Sequence, residues 1–375
     1  MATAVTNQFA ITFFSTLVAP NQNENVIFSP ISISSAVALV AAGAEGKSLD
    51  EIEKVFGWNG ERKQLARTVL TETKETVDEC NSSCPLKSVN GIWLAKEFAI
   101  SKSYESFLKE YDINVAETDF KNNHVKATSL LNEWVSERTN KRINELFASG
   151  QLDEATKAVI VNALYFKGSW LHPFDKTMTQ DAEFHVSNTK TVSVKMMYHS
   201  GEFRYIYDSQ NKCDVIQLDY TSSAYNMVVI VPHEIDGLLG VTSSISLAQI
   251  SKWKDSLASS YPEKVDVFLP KFKVSQKIDL KKHLIKLGIS QVFTDKANLS
   301  GITAAEDLYV SSAVHKAFLE VNEEGTEAAA ATGIGISFMS LPPQVRADRP
   351  FMFMITSRKT GSIIFLGSIF DPSAE

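Results

Sequence analysis

The sequence predicts an α+β protein folded as one large domain, and three observations lead there. Helical and strand patterns alternate irregularly rather than as a βαβ series. Several late segments are continuous apolar runs, as expected of strands covered on both faces. No Pro/Gly/Ser-rich linker, charge block or internal repeat divides residues 1–375. With 44% hydrophobic and 22% charged residues, the chain can bury a large core. Its 37 basic and 44 acidic side chains sum to −7, which gives no electrostatic case for binding nucleic acid or an anionic membrane surface. Three cysteines, Cys80, Cys84 and Cys213, leave at least one thiol free, so packing rather than a disulfide framework must hold the fold.

Phe9, Phe13 and Leu17, with Ala10 and Phe14 beside them, form the buried stripe of a first helix. The residues before it lack the basic region and apolar run of a cleaved leader. Residues 26–44 carry no charge and approach the roughly 20 residues a bilayer needs. Pro30 and four serines within them predict a buried core helix instead, with an uncleaved export signal as the alternative. Ser48-Leu49-Asp50-Glu51 reads as a capping box opening a helix that presents Ile52, Val55 and Phe56 and closes at Gly57. A longer helix is predicted over residues 129–147, with Leu130, Leu131, Trp134 and Val135 on its apolar face. Strands are predicted at residues 158–166, 213–220, 225–231, 265–274, 351–356 and 362–369.

Catalytic chemistry finds no residues to rest on. Histidines 124, 172, 185, 199, 233, 283 and 315 are scattered, with no HExxH and no pair at helical ligand spacing. Cys80 and Cys84 lack a second Cys/His pair, so no metal and no cofactor are expected. There is no GxSxG or P-loop, and Gly333-Ile334-Gly335 lacks a third glycine and a following helix. The chain is therefore expected not to be an enzyme.

The informative stretch is residues 322–343. Four alanines favour helix, two glycines close behind weaken it, and Pro342-Pro343 forbids continuation. At period two, Thr326, Ala328, Ala330, Thr332, Ile334 and Ile336 share one face. Glu327, Ala329, Ala331, Gly333, Gly335 and Ser337 share the other. Such a segment is competent as a strand without being fixed as one, which is what a conformational switch needs.

Here the sequence resembles the serpins. Glu323-Glu324-Gly325-Thr326-Glu327-Ala328-Ala329-Ala330-Ala331-Thr332 is similar to the hinge of inhibitory members. Val26-Ile27-Phe28-Ser29-Pro30-Ile31-Ser32-Ile33 and Asn162-Ala163-Leu164-Tyr165-Phe166-Lys167-Gly168-Ser169-Trp170 also match, as do Leu269-Pro270-Lys271-Phe272, Val314-His315-Lys316-Ala317, Asp348-Arg349-Pro350-Phe351 and Phe365-Leu366-Gly367, all in order. The resemblance implies the serpin fold: three β-sheets, eight or nine helices, and an exposed reactive-centre loop at about residues 323–345. It implies suicide inhibition, in which a serine protease acylates the loop and the freed loop inserts into the central sheet, dragging the protease along. The 14 residues from Thr326 to Met339 could carry it on the order of 45 Å at about 3.3 Å per residue.

The resemblance assigns roles residue by residue. Ser29, Ser32, Asn162 and His315 resemble a shutter holding the sheet closed. Lys271 and Glu323, beside Trp170, resemble the ion pair where the sheet opens. The loop length puts the attacked bond at Met339-Ser340, with Phe338 as the alternative. An unbranched apolar Met339 suits chymotrypsin-like, cathepsin G-like or elastase-like pockets. The expected partners are serine proteases held in a covalent complex by a monomeric inhibitor; cysteine proteases form an alternative class, and a non-inhibitory carrier, chaperone or storage role another. Glycosaminoglycan activation is not expected, since residues 67–83 hold no basic cluster. Asn81 and Asn298 head glycosylation sequons. The family's commonest work makes an extracellular location the expectation; the leaderless start and free thiol leave a cytoplasmic, ovalbumin-like member as the alternative.

Overall fold

The structure, a computed structural model, describes residues 2–18, 23–61, 63–79, 86–324 and 341–374. Cys80, Asn81, Cys84 and residues 325–340, among them most of the hinge and the bond Met339-Ser340, lie outside them.

Helix α1 (Ala2–Val18) buries Phe9, Phe13, Phe14 and Leu17 as its stripe predicts. The uncharged stretch that follows divides in two. Strand β1 (Val26–Phe28) ends at Ser29, whose hydroxyl accepts from the Ser32 amide at 3.2 Å, and Pro30 opens helix α2 (Pro30–Gly43). Every residue of α2 except Ala42 is buried. No helix among the described residues is long and apolar enough to cross a membrane.

Helix α3 (Gly46–Val55) corrects the capping-box reading. It begins three residues early, with Glu45 as its N-cap, so Ser48 lies inside it and accepts from the Asn298 amide at 3.0 Å. Glu51 instead accepts from the amides of Ser290 and Gln291, at 2.8 Å each. Gly57, at φ +62°, does close the helix. Helix α4 (Gln64–Asp78), strand β2 (Leu86–Ala95), helix α5 (Lys102–Lys109) and strand β3 (Asn114–Thr118) follow. Helix α6 (Phe120–Arg138) replaces the helix predicted over residues 129–147: Asp119 caps it at the Asn122 amide, and Leu130 is half exposed.

The remaining strands are β4 (Ala158–Phe166), β5 (Gln180–Ser187), β6 (Lys190–Asp208), β7 (Cys213–Asp219), β8 (Tyr225–Pro232), β9 (Glu263–Pro270), β10 (Phe272–Asp279), β11 (Ser312–Val321), β12 (Gln344–Arg346), β13 (Phe351–Ser357) and β14 (Ile363–Ile369). Helices α7 (Leu238–Ser244), α8 (Leu247–Ser259) and α9 (Leu280–Leu287) complete the described set. The single strand predicted over residues 265–274 is two. Pro270 cannot donate to a ladder, Lys271 crosses over, and β9 and β10 belong to different sheets.

One sheet has the order β10-β11-β4-β2-β3. The other strands run β1-β14-β13-β8-β7-β6-β9-β12, with β5 also on β6. The 19-residue β6 belongs to two ladders: residues 204–208 pair with β7, and the part before them pairs with β5 and β9. The three expected sheets are thus the five-stranded one and two joined through β6. In the five-stranded sheet, Asn90 and Asn162 point toward α2, whereas Trp93 points the other way and meets Trp134 of α6 edge-on at 4.6 Å. The two helices therefore cover opposite faces.

A Cβ on Gly367 of β14 would stand 2.4 Å from the carbonyl oxygen of Val26 on the paired strand. Backbone cannot yield there, so Gly367→Ala should cost about 1–3 kcal/mol, read as a lower urea midpoint. Gly240→Ala, at an exposed position of α7 with nothing within 4 Å, should be neutral or stabilising by up to about 1 kcal/mol. Equal midpoints for the two variants would refute the close-approach argument.

Candidate functional site

Strands β4 and β11 lie side by side and parallel, paired from Val159↔Ser312 to Phe166↔Leu319. Near the middle of this seam sits a buried polar cluster. His315 and Asn162 are register partners, both 0% exposed. The His315 Nε2 accepts from the Ser29 amide at 3.0 Å, so the ring's proton is on Nδ1, which donates to the Asn162 side-chain oxygen. The Asn162 amide nitrogen then donates to the Ser32 carbonyl at 2.8 Å, to the Ser32 hydroxyl at 2.7 Å and to Asn90 on β2. All four residues predicted for the shutter meet here, together with Asn90. Asn90 carries no sequence signal, because Lys87, Ser88 and Gly91 around it interrupt the apolar pattern of β2.

Burial pushes the His315 pKa down to about 3, so the imidazole is neutral in the folded protein.

The upper end of the seam is tied to the rest of the molecule through Trp170. A Cβ on Gly168 would stand 2.5 Å from the Tyr220 ring, so only glycine permits this approach. Trp170 stacks on Tyr220 with centroids 4.5 Å apart, and its indole N–H donates to the Asn322 carbonyl at 2.8 Å. One residue on, Glu323 is buried. Its carboxylate pairs with the Lys271 ammonium at 2.8 Å and accepts from the Thr179 hydroxyl at 2.9 Å. Burial alone would raise the Glu323 pKa; the hydrogen bonds from Lys271, the backbone and Thr179 outweigh it and hold the carboxyl below its ordinary range. The structure thus brings Trp170 and the Lys271–Glu323 pair to adjacent residues at the end of the seam, and Thr179 is an addition that carries no local sequence signal. Glu324, exposed, bonds Lys167 at 2.9 Å and approaches Lys176 at 3.7 Å.

The chain after residue 340 returns along a fixed path. The Pro343 carbonyl accepts from the Asp266 amide, β12 pairs parallel with β9, and the Arg346 guanidinium lies 3.7 Å over the Phe268 ring. In α4, Arg67 pairs with Glu110, and Lys74 with Asp112 and Asp78. Those cations are neutralised. Cys213 is a buried thiol whose pKa is pushed up to about 12, mainly by burial, which makes it a poor nucleophile. Among the described residues no group of three or more His, Cys, Asp or Glu side chains could hold a metal ion.

The sequence matches the family described as Serpin (serine protease inhibitor) over residues 4–372. The chain belongs to the serpin family. A serine protease inhibitor from Cyanea capillata is 53% identical over 99% of this chain and 98% of its own length. The leukocyte elastase inhibitor of Homo sapiens is 36% identical over 97% of this chain and 98% of its own. Among solved structures, uncleaved ovalbumin superposes with a TM-score of 0.90 at 29% identity, over 99% of this chain and 100% of the other. The serpin fold expected from the motifs is thus the fold observed.

Because His315 is neutral when folded and free to protonate near pH 6.5 when unfolded, the unfolded state binds more protons between those two pKa values. Its contribution is therefore complete above about pH 6.5 and is lost as pH falls toward 3, by at most about 1.4 kcal/mol per pH unit. Urea midpoints measured from pH 7.5 to 5.0 should fall less steeply for His315→Asn than for the parent. Identical slopes would show that His315 does not supply this dependence.

Proposed function

We propose that this serpin is a suicide-substrate inhibitor of serine proteases whose loop, once cleaved, inserts between β4 and β11. The observation that carries this is the direct pairing of those two strands over eight residue pairs, with the small-residue hinge following straight on from β11. A strand returning from the end of β11 through a reverse turn runs antiparallel to β11, and therefore to β4 as well. Insertion replaces one parallel ladder with two antiparallel ones, which are slightly more stable per residue, and adds hydrogen bonds along both edges of the new strand. That gain can pull an acylated protease out of register with its own histidine and oxyanion hole, after which deacylation stops. The inhibitor supplies a substrate and a spring.

Met339-Ser340 is the proposed reactive bond, with chymotrypsin-like, cathepsin G-like or elastase-like enzymes as targets. The relatives named leukocyte elastase inhibitor support an elastase-type choice. The compact residues Thr326 and Ala328 to Ala331 support inhibition over a carrier or storage role, because each would have to enter a packed sheet.

The test is a protease complex that survives boiling in detergent. Thr326→Arg places an unpaired charge at the start of the inserting face, where burial is costly, so acylation should proceed while insertion lags. That variant should be cleaved at an ordinary rate and release active protease, while outward-facing Glu327→Arg should retain most inhibition. Equal trapping by both variants would falsify the insertion mechanism.

Specificity is tested separately. Met339→Arg should move inhibition toward trypsin-like enzymes by offering a cation to an acidic pocket. Mass spectrometry of the released C-terminal peptide identifies the bond. A peptide beginning at Ser340 supports Met339, and one beginning at Met339 moves the assignment to Phe338.

A further inference from the structure

The contacts at the top of the sheet fall into two kinds according to which strands they join. Lys271 links β9 to β10, on the side of β11 away from the seam, so its bond to Glu323 need not break when β4 and β11 separate. Lys167 is different. It follows Phe166, the last ladder residue of β4, and its ammonium reaches across to two carboxylates carried by β11 and its continuation: Glu324 at 2.9 Å and Glu320 at 3.9 Å. The Glu324 pair dominates, raising the Lys167 pKa and lowering that of Glu324.

The carboxylate side of this contact is itself held in place. Glu320 accepts from the Asn322 side chain at 3.1 Å through the oxygen nearer Lys167, and its other oxygen is buried without a partner among the described residues. The Asn322 side-chain oxygen in turn accepts from the Glu324 amide at 2.9 Å, which fixes the backbone from which the Glu324 carboxylate extends. Lys176, also on the chain leading away from β4, approaches the second oxygen of Glu324 at 3.7 Å.

We propose that Lys167 is a positioning residue for the inhibitory reaction: with Glu324 and Glu320 it forms an ionic clasp across the β4–β11 seam that must release before the loop can insert. This rests on the insertion mechanism proposed above and adds to it a control on the rate. The charges are partly solvated, with side chains 31% and 50% exposed for Lys167 and Glu324, so the clasp is weak and sensitive to salt. A weak clasp suits the role. It delays opening of the seam without making it inaccessible to the cleaved loop.

The test uses the whole protein and a synthetic peptide with the sequence of residues 326–337, which can occupy the seam in place of the loop. Its annealing is followed by the appearance of a form with a raised thermal midpoint. Lys167→Met and, independently, Glu324→Gln should anneal roughly two- to fivefold faster than the parent at low salt, as expected for losing one partly exposed pair. High salt should accelerate the parent and leave both variants nearly unchanged. Lys195→Met, which removes an exposed pair with Asp181 at 2.9 Å between β5 and β6, is the control and should match the parent. Parent-like rates and salt dependence in both seam variants would overturn the clasp while leaving insertion intact. A parent that never takes up the peptide would overturn insertion itself, and the clasp with it.

Discussion

The structure depends on one unusual adjacency: two parallel strands, β4 and β11, paired directly at the centre of a sheet with helices on both faces. Parallel neighbours need a long crossover, and here some 145 residues separate the end of one strand from the start of the other. The helices that cover the sheet, the second set of strands and the return of the loop all belong to that arrangement. What joins the two strands at mid-length is a group of neutral hydrogen bonds. With His315 uncharged and its proton on Nδ1, the ring has one donor and one acceptor, and Asn162 and the Ser29 amide satisfy both. A protonated ring would leave the Ser29 amide facing a second donor. Neutral bonds of about 1 kcal/mol each can be exchanged for others one at a time, so the cluster specifies the closed sheet without locking it.

The top of the sheet obeys a different rule. There the contacts are ionic or reach toward other elements, and they hold the chain at the point where it leaves β11. Trp170, just past the end of β4, bonds Asn322 while stacking on Tyr220, just past β7, so the seam's upper end is tied to the larger strand set. Glu323 is likewise fixed outward, to Lys271 and Thr179. Under the proposed insertion, force arriving along residues 325–340 would meet the proposed clasp first and the neutral cluster only afterwards, which would give the seam a defined direction of opening.

Much of this was legible in the sequence because its motifs mark chain positions where chemistry is dictated by burial. Phe28-Ser29-Pro30 announces a strand end, a cap and a helix start, and the apolar run of β4, interrupted only by Asn162, announces a strand covered on both faces. What could not be read was partnership. Ser48 and Glu51 have the spacing of a capping box, yet each bonds a distant backbone, Asn298 in one case and Ser290 with Gln291 in the other. Asn90 and Thr179 look like ordinary strand and turn residues until the topology sets them beside Asn162 and Glu323. Leu130 fits an apolar helical stripe but lies half exposed, because capping at Asp119 sets a different helix with a different buried face. Local pattern determines which residues want burial, whereas the register between remote strands determines what they meet there.

The two faces of the seam also explain the composition of the loop under the proposed mechanism. On the inner face β11 presents Ala313, His315, Ala317 and Leu319, all buried, so the residues that join them must be small or apolar and uncharged. Thr326, Ala328, Ala330, Thr332, Ile334 and Ile336 meet that requirement. The outer face is only partly covered, and the chain beyond α6 crosses it. Lys316 of β11 donates to the Glu145 carbonyl at 3.0 Å, and its register partner Lys277 of β10 donates to the Gln151 side chain at 2.9 Å. Burial lowers both lysine pKa values, so these bonds hold costly charges close under the crossing segment. A strand passing beneath it has little height to spare. The outer set, Ala329, Ala331, Gly333, Gly335 and Ser337, is uniformly small, and its one charge, Glu327, comes first, near the open end of the seam. Under that mechanism, the alanines and glycines that make residues 325–337 indifferent as helix or strand are therefore the ones that would let a strand slide into a sheet with little room on either face.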